Sequence, residues 1–291
     1  IPSLPGLKVL FQRPADIVVS VRDGSVDFGI TGMDVVQERK GPNGDILILH
    51  NALNFGGCSL NLAVPESWED VSSVKDLLTA ATRLNRPLHV VTKYPRLTGE
   101  FLAANSIPFI LISAEGTLET APAIGYADMI CDIVSSGQTL RDNRLRSLED
   151  GTLLVSQAVL IANTSRLKAD PAVLEIARTL IEFFEAHLRA SANLAIFANI
   201  RGDSPESIAD RIFETCHIHG LQGPTISRVI VREKDPNWYA VNIIVPRSQL
   251  FQTITELRSI GGSGVIVSPV TYIFDEEPPR YTAMLQALQK D

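Results

Sequence analysis

Two α/β lobes followed by a small α+β domain form the architecture that the sequence predicts, and three observations predict it. Strand-like and helix-like runs alternate from Leu7 to Ala162, a rhythm that makes an α/β layer with a mainly parallel sheet. The run Asn54-Phe55-Gly56-Gly57-Cys58 interrupts two strand-like stretches and reads as a hinge into a second lobe, or as a β-bulge. After Gly202-Asp203-Ser204-Pro205 the pattern changes to strands flanking two helices, which suits a small sandwich resembling the split βαβ fold. A chain of 291 residues with 45% apolar content is long enough for two or three domains with a sizeable core.

The elements follow in order. Leu7–Phe11 reads as a strand, and Pro14-Ala15-Asp16 opens a helix that runs through Val21 to Gly24. Val26–Ile30 is a second strand, Thr31–Asp34 a loop and Val35–Glu38 a helical turn. Asp45–His50 and Ser59–Val64 are strands on either side of the glycine pair. Val74–Leu84 and Leu97–Asn105 read as helices, and Leu88–Thr92 and Pro108–Ile112 as strands. A polar loop from Ala114 to Glu119 leads into a helix ending near Tyr126, and Leu153–Ala162 is one long strand returning to the first lobe. Asp170-Pro171 is a helix start, aspartate capping and proline at the first position, and apolar residues recur at helical spacing through Leu194. Ser204 or Asp203 caps a helix from Pro205 to about His217. Ile226–Val231, Trp238–Val245 and Val265–Phe274 are strands, with a helix at Gln249–Ile260.

One stretch carries chemistry. Met129–Val134 is apolar except for Asp132, and a charge inside a buried strand is costly unless paired or used. Ser135-Ser136-Gly137-Gln138-Thr139 follows directly, with hydroxyls, free backbone N–H groups and a glycine able to take positive φ. A strand, a hydroxyl-rich turn and a helix start make an anion cradle. On this reading Ser135–Thr139 hold a phosphate and Asp132 accepts hydrogen bonds from sugar hydroxyls. The competing reading is an ordinary strand exit, since such residues are common in loops. Lys93 and Arg96, flanking Tyr94-Pro95, either steer a phosphate or face solvent.

Composition excludes other classes. The net charge of −7 argues against nucleic-acid binding, which needs a basic face. No apolar run approaches the length of a membrane span, and no basic-then-apolar leader opens the sequence. Cys58, Cys131 and Cys216 are odd in number and far apart, a pattern of buried thiols in a reducing, cytoplasmic setting. Cys216, His217 and His219 cluster but lack a fourth metal ligand.

At this point the chain resembles the long form of the ATP phosphoribosyltransferase family. The run Ala127–Leu140 is similar to that family's phosphoribosyl-diphosphate loop. Val26–Asp34, Phe55–Cys58 with Leu60, Thr92–Pro95 and Gly116–Pro122 match in order and spacing, and Gly220–Ile226 with Ile260–Gly262 resemble the regulatory domain. Nothing before Leu7 matches the Lys-Gly-Arg-type segment with which the family begins, so that segment is expected to lie upstream of Ile1 or to have been lost. The resemblance implies a two-lobed fold of the periplasmic-binding-protein type II kind with a C-terminal ACT-like domain. The expected boundaries are 1–55 and 164–202 for lobe I, 56–163 for lobe II and 203–291 for the ACT-like domain. It implies a Mg2+-dependent transfer of phosphoribosyl from phosphoribosyl diphosphate to N1 of ATP, the first step of histidine biosynthesis. It implies feedback inhibition by histidine, and dimers assembling into hexamers. The substrate contacts expected are Glu119, Asp132, Ser135, Ser136, Gly137, Gln138 and Thr139. The histidine contacts expected are Asp203, Leu221, Gly223, Thr225 and Gly264. No Ser-His-Asp or Cys-His set stands out, as suits a reaction driven by placement and charge. Two alternatives stand beside it: a prephenate dehydratase-like enzyme, whose Thr-Arg-Phe and Glu-Ser-Arg-Pro motifs are absent, and a non-catalytic two-lobed binding module.

Overall fold

The structure is a computed structural model that describes residues 7–114, 116–215, 221, 223–230 and 237–289. The chain divides into two compact units, residues 1–177 with 282–291, and residues 178–281.

The first unit holds two sheets. Helix α1 (Pro14–Arg22), strand β1 (Phe28–Gly32), helix α2 (Met33–Arg39) and strand β2 (Ile46–His50) open it. Then come β3 (Cys58–Pro65), α3 (Asp76–Leu84), β4 (Leu88–Thr92), α4 (Pro95–Ala104), β5 (Phe109–Ser113), β6 (Met129–Val134), α5 (Gln138–Asp142), β7 (Leu145–Ser156), β8 (Ala158–Asn163) and α6 (Thr164–Ala169). The first sheet has the order β1-β8-β2 and the second β5-β4-β6-β3-β7. Strands β5, β4 and β6 are parallel, while β3 runs antiparallel to both β6 and β7.

The expected mainly parallel sheet is corrected for the first lobe. Strand β8 inserts between β1 and β2 and pairs antiparallel with each. The predicted strand–helix–strand unit is present, but its slot is filled by a strand from far along the chain, which no local pattern announces.

The expected strand Leu153–Ala162 is likewise two strands, β7 and β8, in different sheets. They break at Gln157, whose carbonyl accepts from Met33 N–H and whose side chain accepts from Asn54 N–H. The Gly56-Gly57 hinge does separate strands of different sheets, β2 and β3. The second crossing lies at Gln157, so residues 158–163 belong to the first lobe's sheet, not to lobe II as the boundary at 163 had it. Leu7–Phe11 forms no strand, and Phe11 is 98% exposed. The helix expected before Tyr126 is only a 3-10 turn, Leu118–Thr120, because Pro122 lacks an N–H and Gly125 takes a positive φ.

Each lobe keeps its own core. Leu62, Leu77, Val90, Leu102 and Met129 pack one face of the five-stranded sheet against α3 and α4. Val18, Val21, Val36, Val159 and Ile161 fill the first lobe.

The unit boundary falls inside α7 (Pro171–Ser191). Its predicted start is correct: Asp170 accepts from Ala172 N–H at 3.0 Å. Then follow β9 (Asn193–Arg201), α8 (Pro205–Thr215), β10 (Thr225–Arg228), β11 (Trp238–Pro246), α9 (Leu250–Ser259), β12 (Ser263–Pro269) and α10 (Pro279–Gln289). The sheet order is β10-β11-β9-β12, all antiparallel. This α+β domain begins earlier than residue 203, because β9 is one of its two central strands. Its continuous ladder with β11 from Asn193 to Arg201 fixes those residues there rather than in lobe I. The cluster Cys216, His217 and His219 lies outside the described residues.

Candidate functional site

The carboxyl ends of β4, β5 and β6 lie along one edge of the sheet, the edge where open α/β sheets bind ligands. Alternation along β6 sends Met129 and Cys131 to one face and Ile130 and Asp132 to the other. Ile130 shares an apolar cluster with Leu118 from the 3-10 turn and with Leu140 from α5. That cluster draws three segments to one point. The turn brings Glu119, the strand end brings Asp132, and the 135–139 loop arches beyond them.

Asp132 is half-buried, and its Oδ1 accepts from Ile133 N–H at 2.8 Å. Burial pushes its carboxyl above the usual range, outweighing the Ile133 N–H and the charge of Lys93; Glu119 adds to the rise. Asp132 therefore lies within electrostatic reach of both Glu119 and Lys93, which the sequence alone did not establish.

Ser135, Ser136, Gln138 and Thr139 are exposed. Gly137 has φ 72°, the left-handed region that a side chain occupies at a cost. The N–H groups of Ser135, Ser136 and Gly137 have no hydrogen-bond partner among the described residues. Two details depart from expectation. Helix α5 has five residues, so its dipole adds little, and the donors are the loop N–H groups and hydroxyls. The Gln138 side chain is already engaged, donating to Asp142 Oδ1 at 2.6 Å and accepting from Arg141 at 3.1 Å.

Asp128, at the other end of β6, is structural. The Arg86 fork donates to both its oxygens at 2.6 and 2.8 Å, and His89 N–H adds a third bond at 2.7 Å. Burial raises its pKa, but these donors outweigh that and hold it below the ordinary value. Arg96 is also committed. It donates to the carbonyls of Gln37 and Glu38 and pairs with Glu100, while Glu38 accepts from the N–H groups of Arg96 and Leu97.

Sequence reading missed one group of residues altogether. Asp34, on α2, is buried and meets two residues of the other lobe. Its Oδ2 accepts from the Tyr94 hydroxyl at 2.6 Å, and its Oδ1 accepts from the Ser156 hydroxyl at 2.6 Å. Ser156 in turn accepts from Asp34 N–H at 3.0 Å. A Cβ at Gly32 would lie 2.2 Å from Asp34 Oδ1, so the carboxyl needs the glycine. The motifs Thr31–Asp34 and Thr92–Pro95 were both visible, but nothing local shows that they touch.

In the second unit, Ser204 rather than Asp203 caps α8, accepting from Ser207 N–H at 3.2 Å. Asp203 lines a pocket of about 590 Å³ with Arg201, Arg211 and Asn237. Leu221 is exposed, Gly223 and Gly264 have positive φ, and Thr225 begins β10. Thr225 and Gly264 sit on β10 and β12, the opposite edges of the sheet. One chain does not bring them together.

A sequence profile described as ATP phosphoribosyltransferase matches residues 13–184, and one described as HisG, C-terminal domain matches residues 190–272. The chain belongs to the ATP phosphoribosyltransferase family.

Among curated relatives, ATP phosphoribosyltransferase 2, chloroplastic, of Arabidopsis thaliana is 43% identical over 99% of this chain and 71% of its own length. An ATP phosphoribosyltransferase of Rhodopseudomonas palustris (strain BisB18) is 30% identical over 100% of this chain and 87% of its own. A solved chain of the ATP phosphoribosyl transferase (HisG:HisZ) complex from Thermotoga maritima shows a TM-score of 0.48 at 22% identity, covering 60% of this chain and 78% of that one. Membership in the ATP phosphoribosyltransferase family leaves the prephenate dehydratase alternative without support.

Proposed function

We propose that the chain transfers phosphoribosyl from phosphoribosyl diphosphate to N1 of ATP, releasing diphosphate, as the first step of histidine biosynthesis. Family membership supports the reaction. The observation that carries the placement is the 135–139 loop, with its unpartnered N–H groups, directly beyond a half-buried carboxyl.

In this reading the 5′-phosphate sits on the loop N–H groups and the hydroxyls of Ser135, Ser136 and Thr139. Gly137 supplies the turn, while Gln138 has both its side chain and its N–H engaged, the latter with Ser136 Oγ at 3.3 Å, and serves to hold the loop's shape. Asp132 accepts from the ribose hydroxyls, with Glu119 beside it. Adenine N1 carries its own lone pair, so no strong base is needed. Rate enhancement comes from holding two polyanions in line and from cationic groups facing the departing diphosphate.

The residues fit a substrate-borne Mg2+. Among the described residues no group of three or more His, Cys, Asp or Glu is placed to hold a metal. Glu119 and Asp132 are the pair of carboxylates that suits a magnesium ion held mainly by substrate phosphates. When bound, the ion neutralises charge developing on the diphosphate.

The test is formation of phosphoribosyl-ATP by the intact protein, followed by its near-ultraviolet absorbance. Absence of product with both substrates and Mg2+ overturns the reading and favours a non-catalytic module.

For regulation, Asp203 is proposed to meet the amino group of histidine, with Leu221, Gly223, Thr225 and Gly264 as further contacts. Their separation across the sheet supports a pocket completed by a second copy, in keeping with a homo-oligomer built from dimers towards hexamers. Histidine at saturation is expected to raise the melting temperature, and Asp203→Ala to remove the shift. An equal shift in the variant counts against Asp203. The compartment is proposed to be the cytoplasm, or the chloroplast named for the Arabidopsis relatives. Among the described residues no helix is long and apolar enough to cross a membrane.

A further inference from the structure

The end of the second unit carries a feature that neither the phosphoribosyl cradle nor the proposed histidine contacts use. Strand β12 stops at Pro269, which pairs with Leu194 at the start of β9. The chain then continues without helix or strand to α10, running back along α7 as a strap. The match to the family's C-terminal domain stops at residue 272, so most of the strap lies past it.

The strap and the first turn of α10 are fastened to α7 by several kinds of contact. Ile273 N–H donates to the Ala186 carbonyl at 3.0 Å, and the Ile273 carbonyl accepts from Arg189 at 3.1 Å. Arg189 also pairs with Asp275, and Arg280 Nε donates to Glu185 Oε1 at 3.1 Å. Phe183 meets Tyr272 and Phe274 edge to face, with ring centroids 5.5 and 5.3 Å apart, a favoured geometry for aromatic pairs. The Arg178 guanidinium lies over the Tyr281 ring at 5.3 Å, as cations do on aromatic faces. Arg178 is also the first residue of the second unit. The contact between Arg178 and Tyr281 thus lies at the unit boundary.

The other end of α7 is fixed as well. One residue, Ala192, separates it from β9. The last carbonyls of a helix have no partner within it, and here side chains and a loop N–H supply one. Arg247 Nε donates to the Ser191 carbonyl at 2.7 Å, Arg247 N–H to Ala192 at 2.9 Å, and Asn193 Nδ2 to Arg189 at 2.7 Å. Helix α7, β9, β12 and the strap thereby close a ring, so a shift of the sheet carries this half of α7 with it while the strap is docked. Docking has a cost: Glu185 Oε2 is buried with no hydrogen-bond partner among the described residues. A segment with no ladder bonds and such a cost opens more readily than the sheet beside it.

We infer that the strap of residues 271–281 is a clasp that makes residues 178–191 of α7 a rigid arm of the second unit, and that this arm carries the response to histidine. That response rests on the histidine site proposed above. With the clasp closed, the arm moves as one body with the sheet. With it open, α7 flexes within its own length, and the movement is lost before it reaches Arg178.

The test uses the full chain. Phe274 is exposed and Tyr272 half-buried, so Tyr272→Ser with Phe274→Ser removes the aromatic hold without opening the sheet core. Hydrogen exchange across residues 183–191 is expected to quicken about tenfold or more, with β9 and β11 unchanged. The kcat and both KM values should stay within about twofold, while half-inhibition should need about tenfold more histidine. Asp275→Asn, at an exposed side chain, is the milder variant and should move both readouts the same way. Tyr272→Phe keeps the ring and should move neither. Unchanged exchange in both weakened variants overturns the clasp. Faster exchange with unchanged inhibition overturns the arm and leaves a purely structural strap. A matching fall in kcat marks general loosening and counts against the inference too. A wild-type protein indifferent to histidine sinks the histidine site, and the arm's role with it, while the exchange data still decide the clasp.

Discussion

Asp132→Asn is expected to raise the KM for phosphoribosyl diphosphate by about a hundredfold or more. Two hydrogen bonds from ribose hydroxyls to a carboxylate contribute about 1.5–3 kcal/mol each, and every 1.4 kcal/mol is about tenfold. The same substitution should stabilise the protein at neutral pH. Burial raises the folded-state pKa of Asp132 above its unfolded value. The folded chain thus holds this proton more tightly than the unfolded chain. Stability from this group is fully present below the unfolded pKa, about 3.9, and is lost as pH rises through the folded pKa. Asparagine removes that loss. The gain in Tm should appear at pH 7 and vanish near pH 3, while the Ile133 N–H keeps its acceptor. Adding Thr139→Ala should weaken binding further, because a cradle hydroxyl goes as well. Calorimetric affinity equal to wild type in that double variant would sink the assignment. A variant less stable than wild type at pH 7 would show that Asp132 is a structural partner rather than a held-back ligand.

Tyr94→Phe should destabilise the first unit by about 1.5–3 kcal/mol, the cost of leaving a buried polar atom without its donor. Asp34 and Tyr94 are 6% and 9% exposed, so water does not readily replace the lost hydroxyl at Oδ2. The change removes one oxygen and little volume, which makes the hydrogen bond the main difference. A fall in Tm of roughly 5 °C follows for a unit of this size. Ser156→Ala should cost a similar amount, because its hydroxyl both donates to Asp34 and accepts from it. The double variant should fall short of the sum, since both side chains serve one carboxyl. Strict additivity, or an unchanged Tm in Tyr94→Phe, would mean that this network does not hold α2 to the second lobe.

Much of the proposed cradle was legible because its signals are local. An acid inside an apolar strand, then hydroxyls around a glycine, suits an anion cradle or an ordinary strand exit, and the positive φ of Gly137 is compatible with the cradle. Other roles depended on contacts at long range. Asp128, four residues from Asp132 at the start of the strand, reads in sequence as the one facing a structural partner, but which partner is decided at long range: Arg86, 42 positions away, forks onto both its oxygens. Gln138 belongs to the motif, but its amide turns back to Asp142 and Arg141 within its own helix. Lys93 and Arg96 looked alike in sequence. The structure commits Arg96 to Glu38 and Glu100 and leaves Lys93 near enough for its charge to act on Asp132.

By itself the sequence determined most of the element types (not at Leu7–Phe11, before Tyr126 or across Gln157), the chain break between sheets at Gly56-Gly57, the start of α7 and the family. Each follows from propensity, caps or a contiguous motif, which act over a few residues. Only the tertiary structure decided that β8 lies between β1 and β2, that β9 belongs to the second unit, and that Asp34, Tyr94 and Ser156 meet. Strand partners and buried carboxyls are chosen by what remains unsatisfied once the chain has packed. That choice has no imprint at the level of neighbouring residues.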